Sequence, residues 1–260
     1  MRNADRPETL DQPLLTVHSL SKSFLFKGSR VRVLQDITFT VRQRECAAFI
    51  GPSGCGKSTL LEILAGITLP DAGAVLHQNA NVTGRAGLMG YMPQDDLLLP
   101  WLTLCENALL PVRIARKDIR SARLRLRQLL PDFGLEGFDD YLPAQLSGGM
   151  KQRVALLRTV MTETDILLLD EPFANLDAIT RLQLQEWLLN LKNRLSQTIL
   201  LVTHDIDEAI RLADTIHVMN GSPSSLTFQV NVPPHLHGSL RDITSPQWLQ
   251  LKNLLTQKLL

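Results

Sequence analysis

Residues 51–59 read GPSGCGKST, and this run constrains the chain more than any other feature. It follows a short apolar run at 46–50 and opens a segment of helical spacing at 57–64. Glycines let successive backbone N–H groups turn inward around phosphate oxygens. The helix that follows points its partial positive end at the same anion. Lys57 brings a full charge to the β- and γ-phosphates of a nucleoside triphosphate, and Ser58 offers a hydroxyl to magnesium. Thr59 reaches the phosphates from the first helical turn. Gly51, Pro52, Ser53, Gly54, Cys55, Gly56, Lys57, Ser58 and Thr59 are therefore the candidate phosphate contacts. Cys55 reads as a bystander whose thiol the loop makes sensitive to alkylation.

Strand, glycine-rich turn and helix open a parallel α/β unit. Residues 165–172, DILLLDEP, supply a second one, in which four apolar residues read as a buried parallel strand. Its carboxyl end delivers Asp170, placed for a magnesium shell, and Glu171, placed to take a proton from an attacking water. The runs 199–202 and 216–219 read as further strands, and 179–195 as a helix with Leu184, Leu188, Leu191 and Leu195 on one face. Trp187 in that helix reads as core packing.

Composition narrows the remaining classes. The 260 residues carry 27 Lys+Arg against 26 Asp+Glu, a net charge of +1, so no whole-chain attraction to nucleic acid or acidic lipid is expected. The arginines between 113 and 127 read as a solvated helix face, with no stacking aromatics among them. Three cysteines are too few for a disulfide framework. The polar first residues carry no secretory pattern, and no apolar run approaches a membrane span, so any membrane role comes through a partner.

Residues 146–150 read LSGGM and lead into KQRVALLRTVM, a second helix start suited to an anion. With YMPQ at 91–94, ANLD at 174–177 and VTHD at 202–205, the motifs stand in one order along residues 14–220. In these the chain resembles the ATP-binding subunits of ABC transporters. The resemblance implies an α/β P-loop NTPase fold with a parallel-sheet core, an N-terminal antiparallel β subdomain and an inserted α-helical subdomain at about 95–161. Residues 1–13 are expected as a flexible tail and 221–260 as a C-terminal extension of weak pattern.

The resemblance also implies a head-to-tail dimer of two copies with ATP and Mg2+ between them. Ser147, Gly148 and Gly149 of one copy would face the nucleotide on the other's glycine loop. Gln94 would sense magnesium and the γ-phosphate, and Ser58, Gln94 and Asp170 would serve the metal. Glu171 would be the general base, and His204 would hold the γ-phosphate. Asp177 would reach across the dimer, although it also reads as a helix N-cap. Phe24 in LSKSF would stack on adenine, with Phe26 as the competitor. ANLD departs from the family's commoner SALD.

The run LLLPWLTLCENALLP at 97–111 is similar to importers of nitrate, sulfonate, taurine or thiamine precursors. That similarity implies separate permease subunits, an extracytoplasmic solute-binding protein, no nucleic-acid partner, and a place on the cytoplasmic face of the inner membrane. Trp101 would lie on the permease-docking surface or be buried in the helical subdomain. An export or lipid-handling ATPase is the alternative. A DNA-repair machine is disfavoured because the interval from Gln94 to Leu146 is too short for a coiled coil.

Overall fold

A computed structural model describes residues 13–174, 176–237 and 245–260. Residues 1–12 of the expected tail, Asn175 of ANLD and the side chain of Leu195 lie outside the described residues. The chain opens with a long antiparallel hairpin, β1 (Leu15–Phe26) and β2 (Ser29–Val41), turned at Lys27 and Gly28, which both take positive φ. Next come β3 (Cys46–Ile50), α1 (Lys57–Leu64), β4 (Ala72–His77), β5 (Ala80–Asn81) and β6 (Gly90–Met92). Four helices follow: α2 (Leu104–Ala108), α3 (Leu110–Ile114), α4 (Ile119–Leu129) and α5 (Gly148–Val160). The remainder is β7 (Ile166–Asp170), α6 (Ala178–Leu195), β8 (Thr198–Thr203), α7 (Ile206–Leu212), β9 (Thr215–Asn220), β10 (Ser225–Asn231) and α8 (Pro246–Leu259).

The strands form two sheets. One is antiparallel with order β2-β1-β4-β5; the other has order β10-β9-β3-β8-β7-β6 and is parallel except at the β10 edge. The apolar runs become strands buried on both faces, because side chains alternate across a pleated strand. Leu167 and Leu169 of β7 point into a core shared with α2 to α8, while Ile166 and Leu168 point into a core shared with α1 and the antiparallel sheet. Ile199 and Leu201 of β8 divide from Leu200 and Val202 in the same way. The parallel sheet is thus the wall between two cores.

Local signals set the element ends. α1 occupies the expected 57–64, and Gly66 takes φ 74° just beyond it, its N–H donating to Ile63 O at 3.1 Å. Thr103 and Glu106 form a capping box at α2. The arginines of α4 follow the solvated-face reading, with Arg120, Arg123 and Arg127 exposed and Arg125 paired with Glu163. Trp187 packs edge-on against Phe133 with centroids 4.0 Å apart, which is the expected core role.

The stretch from 221 differs from its weak-pattern reading. β10 pairs antiparallel with β9, and α8 buries Trp248, Leu251 and Leu255. Both signals exist in the sequence: Leu226, Phe228 and Val230 alternate, and Ser245-Pro246 is a helix start. The edge strand is only half-buried, which dilutes its pattern.

One buried group gives the fold a pH dependence. His217 of β9 is 1% exposed, stacks on Phe49 at 4.8 Å, and has no hydrogen-bond partner on either ring nitrogen. Burial lowers its pKa to about 4 from 6.5. The folded state holds it neutral while the unfolded chain protonates it, so stability falls as pH drops from 6.5 toward 4. The size of that loss is about 3 kcal/mol when both pKa values have been passed. His217→Phe, which keeps the stack, is expected to flatten this decline in urea denaturation between pH 7 and 4.5. An unchanged decline would assign the acid sensitivity elsewhere.

Candidate active site

Three neighbouring parallel strands, β3, β8 and β7, end side by side, and their loops carry the motif residues. This is why sequence segments more than a hundred residues apart meet at one edge of the sheet. The glycine loop leaves β3, Asp170 and Glu171 end β7, and His204 follows β8. Gln94 follows β6, the neighbour of β7.

The loop geometry explains its glycines at two places. Gly56 caps α1 at φ 97°, and a Cβ there would stand 2.7 Å from Val33 Cγ1. At Gly51 a Cβ would stand 2.5 Å from the Met219 carbonyl oxygen. Lys57 is 5% exposed, and its ammonium donates to the Gly51 and Pro52 carbonyls at 2.9 and 3.0 Å. Cys55 corrects one expectation. Its side chain is 8% exposed and packs into the core beside the antiparallel sheet, so burial opposes the alkylation expected of it.

Asp170 is 2% exposed, and burial raises its pKa, opposed by the Ser58 hydroxyl and the Lys57 charge. Its Oδ1 is buried with no hydrogen-bond partner. A buried carboxylate oxygen of this kind needs a cation or a donor. With the Ser58 hydroxyl beside it, the donor set is hard oxygen, which fits magnesium.

Glu171 takes φ 45°, a left-handed conformation costly for a non-glycine residue, and its N–H donates to Val202 O at 2.9 Å. This turn presents its carboxylate to two partners. His204 Nδ1 lies 3.1 Å from Glu171 Oε2, and the Gln94 amide donates to the same oxygen at 3.4 Å. Gln94, Glu171 and His204 share a cleft of about 520 Å³ with Ser53, Gly54, Lys57, Ser58 and Thr59. Phe24 and Val33 form its far wall, and Phe26 is not among its lining residues. Val33 escaped the sequence reading; it sits on β2 without a motif, and only the hairpin's fold over the loop brings it there.

Ser147, Gly148 and Gly149 lie elsewhere. Ser147 caps α5 and accepts from Met150 N–H at 3.3 Å; it and Gly148 are exposed, and none of the three lines the cleft. A Cβ on Gly149 would stand 2.7 Å from Thr180, so the α5 start packs against the first turn of α6. Asp177 caps that helix, accepting from the Ile179 and Thr180 N–H groups at 3.1 and 3.0 Å. Bonds from Thr180 hold its carboxyl below the usual carboxylate range. The N-cap role is therefore present in the fold, alongside whatever Asp177 does beyond the chain.

A ring of supports behind His204 was also missed. Thr203 Oγ1 donates to Glu208 Oε2 at 2.6 Å and accepts the Asp205 N–H at 3.0 Å, and Arg181 stands 3.8 Å from both Asp205 and Glu208. Burial raises the Glu208 pKa, with the Thr203 bond opposing it. Glu208 stands four residues after His204, and its burial, which only the fold supplies, sets it apart from a surface carboxylate.

Residues 34–174 match the ABC transporter family. The chain is 41% identical to the formylaminopyrimidine import ATP-binding protein ThiZ of Halalkalibacterium halodurans, over 86% of each. It is also 41% identical to the taurine import ATP-binding protein TauB of Pseudomonas aeruginosa, over 84% of this chain and 83% of that one. Among solved structures it resembles a dimeric bacterial ABC transporter cassette at TM-score 0.76 and 27% identity, covering 84% of this chain and 99% of that one. A dimeric post-hydrolysis state of an ATP-binding cassette, bound to ADP and Pi, matches at TM-score 0.73 and 26% identity over the same shares. The chain belongs to the ABC transporter family, as an ATP-binding subunit that hydrolyses ATP.

Proposed function

We propose that this ATPase drives uptake of a small solute through a separate permease, with two copies closing head to tail over two ATP molecules. One observation carries the shared-site reading. The cleft of Lys57, Glu171 and His204 is open, while Ser147 and Gly148 stand exposed outside it. A second copy brings its own helix start to cover the phosphates.

The geometry supports the following roles. Lys57 exchanges its carbonyl partners for phosphate oxygens, and the loop N–H groups of residues 53–59 wrap the same anion. Phe24, 41% exposed on the cleft wall, offers its ring face to adenine. Asp170, Ser58 and Gln94 would hold magnesium, which when bound would neutralise phosphate charge. Glu171 accepts a proton from the water that attacks the γ-phosphorus, and the bond to the β–γ bridging oxygen breaks to release ADP and inorganic phosphate. Gln94 and His204 orient that carboxylate, and His204 also binds the γ-phosphate.

The permease docks on a groove of about 530 Å³ beside the loop after Gln94, lined by Ile67, Pro93, Leu97, Leu110, Pro111 and Ile114 among others. Ile67, Leu97 and Ile114 are each more than half exposed, an apolar patch of the kind that marks a protein contact. Trp101 is 70% exposed, which removes the buried alternative and leaves its ring available to the same partner. Among the described residues no helix is long and apolar enough to cross a membrane. The relatives named as import ATP-binding proteins support a place on the cytoplasmic face of the inner membrane, with a solute-binding protein serving the permease outside. The relatives named for taurine and formylaminopyrimidine import support a small organic sulfonate or thiamine precursor as cargo.

Two predictions test this reading. Glu171→Gln is expected to cut turnover by about 100-fold or more while ATP affinity stays within about threefold, and to show an ATP-dependent dimer by size exclusion. Wild-type turnover in that variant removes Glu171 as the base. Phe24→Ala is expected to weaken ATP binding by about tenfold, from roughly 1–1.5 kcal/mol of ring contact, with Phe26→Ala within about twofold of wild type. Equal losses, or the reverse order, would reassign the adenine wall.

A further inference from the structure

The C-terminal helix takes no part in the chemistry above, yet its polar contacts converge on the helix that follows His204. α8 starts at the Ser245 cap and lays Trp248, Leu251 and Leu255 inward, packing on α7 and β9. The Trp248 Nε1–H donates to Asp207 Oδ1 at 3.0 Å. The Lys252 ammonium donates to Asp207 Oδ2 at 2.6 Å. Both carboxylate oxygens of Asp207, in the first turn of α7, are thus gripped from α8. These are charge-assisted bonds, the stronger and more directional class.

His204 lies on the short joint between β8, which ends at Thr203, and α7, which begins at Ile206. The β8 side is fixed by the sheet, where Thr203 pairs with Ile50. The α7 side depends on what holds its first turn. The Asp207 N–H donates to Asp205 Oδ1 at 2.8 Å, and the Asp205 N–H donates to Thr203 Oγ1 at 3.0 Å. A continuous set of bonds therefore runs from Trp248 and Lys252, through Asp207 and Asp205, to the Asp205 backbone N–H on one side of His204 and the Thr203 hydroxyl on the other. A displacement of about 1 Å at a reacting group can cost on the order of 100-fold in rate.

We propose that α8 sets the position of His204, with Trp248 and Lys252 as positioning residues that act through Asp207 on the rate of hydrolysis and not on nucleotide affinity. This rests on the reading of His204 as a γ-phosphate ligand. Lys252 and Asp207 are both partly exposed, so loss of the pair leaves the fold intact. Trp248→Phe removes the N–H together with one ring of a fully buried indole and so leaves a cavity, whereas Lys252→Met removes only the charge-assisted bond.

The test is ATPase kinetics of the subunit assembled with its permease, at steady state and in single turnover. Lys252→Met is expected to lower kcat by about three- to tenfold, with KM for ATP within about twofold and the melting temperature unchanged; Trp248→Phe is expected to lower the melting temperature through its cavity and, assayed well below that temperature, to lower kcat to a similar extent. Lys252→Arg is expected to restore most of the rate. Added to His204→Ala, Lys252→Met is expected to have no further effect, because both act at one group. Wild-type kcat in both single variants overturns the proposal, as does an undiminished extra loss on the His204→Ala background. A loss that follows a lower melting temperature and resists Lys252→Arg also overturns it. Wild-type turnover in His204→Ala would instead overturn the reading of His204 itself, a result separable from failure of the latch alone.

Discussion

A buried ammonium with only carbonyl partners is the interaction on which this structure turns. Lys57 is held to Gly51 and Pro52 inside its own loop, with Asp170 near enough to feel its charge. An ammonium taken out of water is costly unless it is fully bonded. The two carbonyls hold the side chain without neutralising it. A triphosphate supplies the missing charge, so the loop is preorganised for an anion before one arrives. Asp170 shows the complementary condition: a carboxylate oxygen buried without a hydrogen-bond donor, which fits the proposed magnesium site.

The fold exists to bring these unfavourable groups together. The parallel sheet is a rigid wall with a core on each face, and its strand ends place the glycine loop, Glu171 and His204 in adjacent loops. The left-handed backbone at Glu171 is tolerated because the β8 strand holds its N–H. The antiparallel hairpin contributes Phe24 and Val33 to the cleft that the glycine loop lines, so two sheets build its walls. Gly149 lets α5 approach α6 closely, which sets the exposed Ser147 edge beside the Asp177 cap.

Much of this was legible in the residues. Continuous apolar runs at 46–50, 166–169 and 199–202 mark strands covered on both faces, and α1 runs over the residues that its motif specifies. Ser53, Gly54, Gly56, Lys57, Ser58 and Thr59 line one cleft with Gln94, Glu171 and His204, while Gly51, Pro52, Cys55 and Asp170 are not among its lining residues. What was not legible depended on tertiary contact. Phe24 and Phe26 lie on the same strand with the same chemistry, and only the hairpin's placement separates them. Arg181 and Glu208 stand outside any motif and are tied to the His204 loop through Asp205 and Thr203, and β10 hides because an edge strand exposes half its residues. Cys55 reads as sensitive to alkylation from its loop, but its side chain faces the core and is largely buried.

The central claim is that each ATP is shared, gripped by Lys57 of one copy and sealed by Ser147 of the other. Trapped nucleotide in mixed dimers tests it most directly, in a Glu171→Gln background that halts turnover. One population carries Lys57→Ala and the other Ser147→Arg, and ATP surviving gel filtration is counted. Neither population alone retains nucleotide in the shared arrangement, but a mixed dimer keeps one intact pair of Lys57 and Ser147 and traps one ATP. If the mixture traps none, while a dimer of the doubly substituted chain with a Glu171→Gln chain traps one, each site is closed within a single chain and the account is wrong.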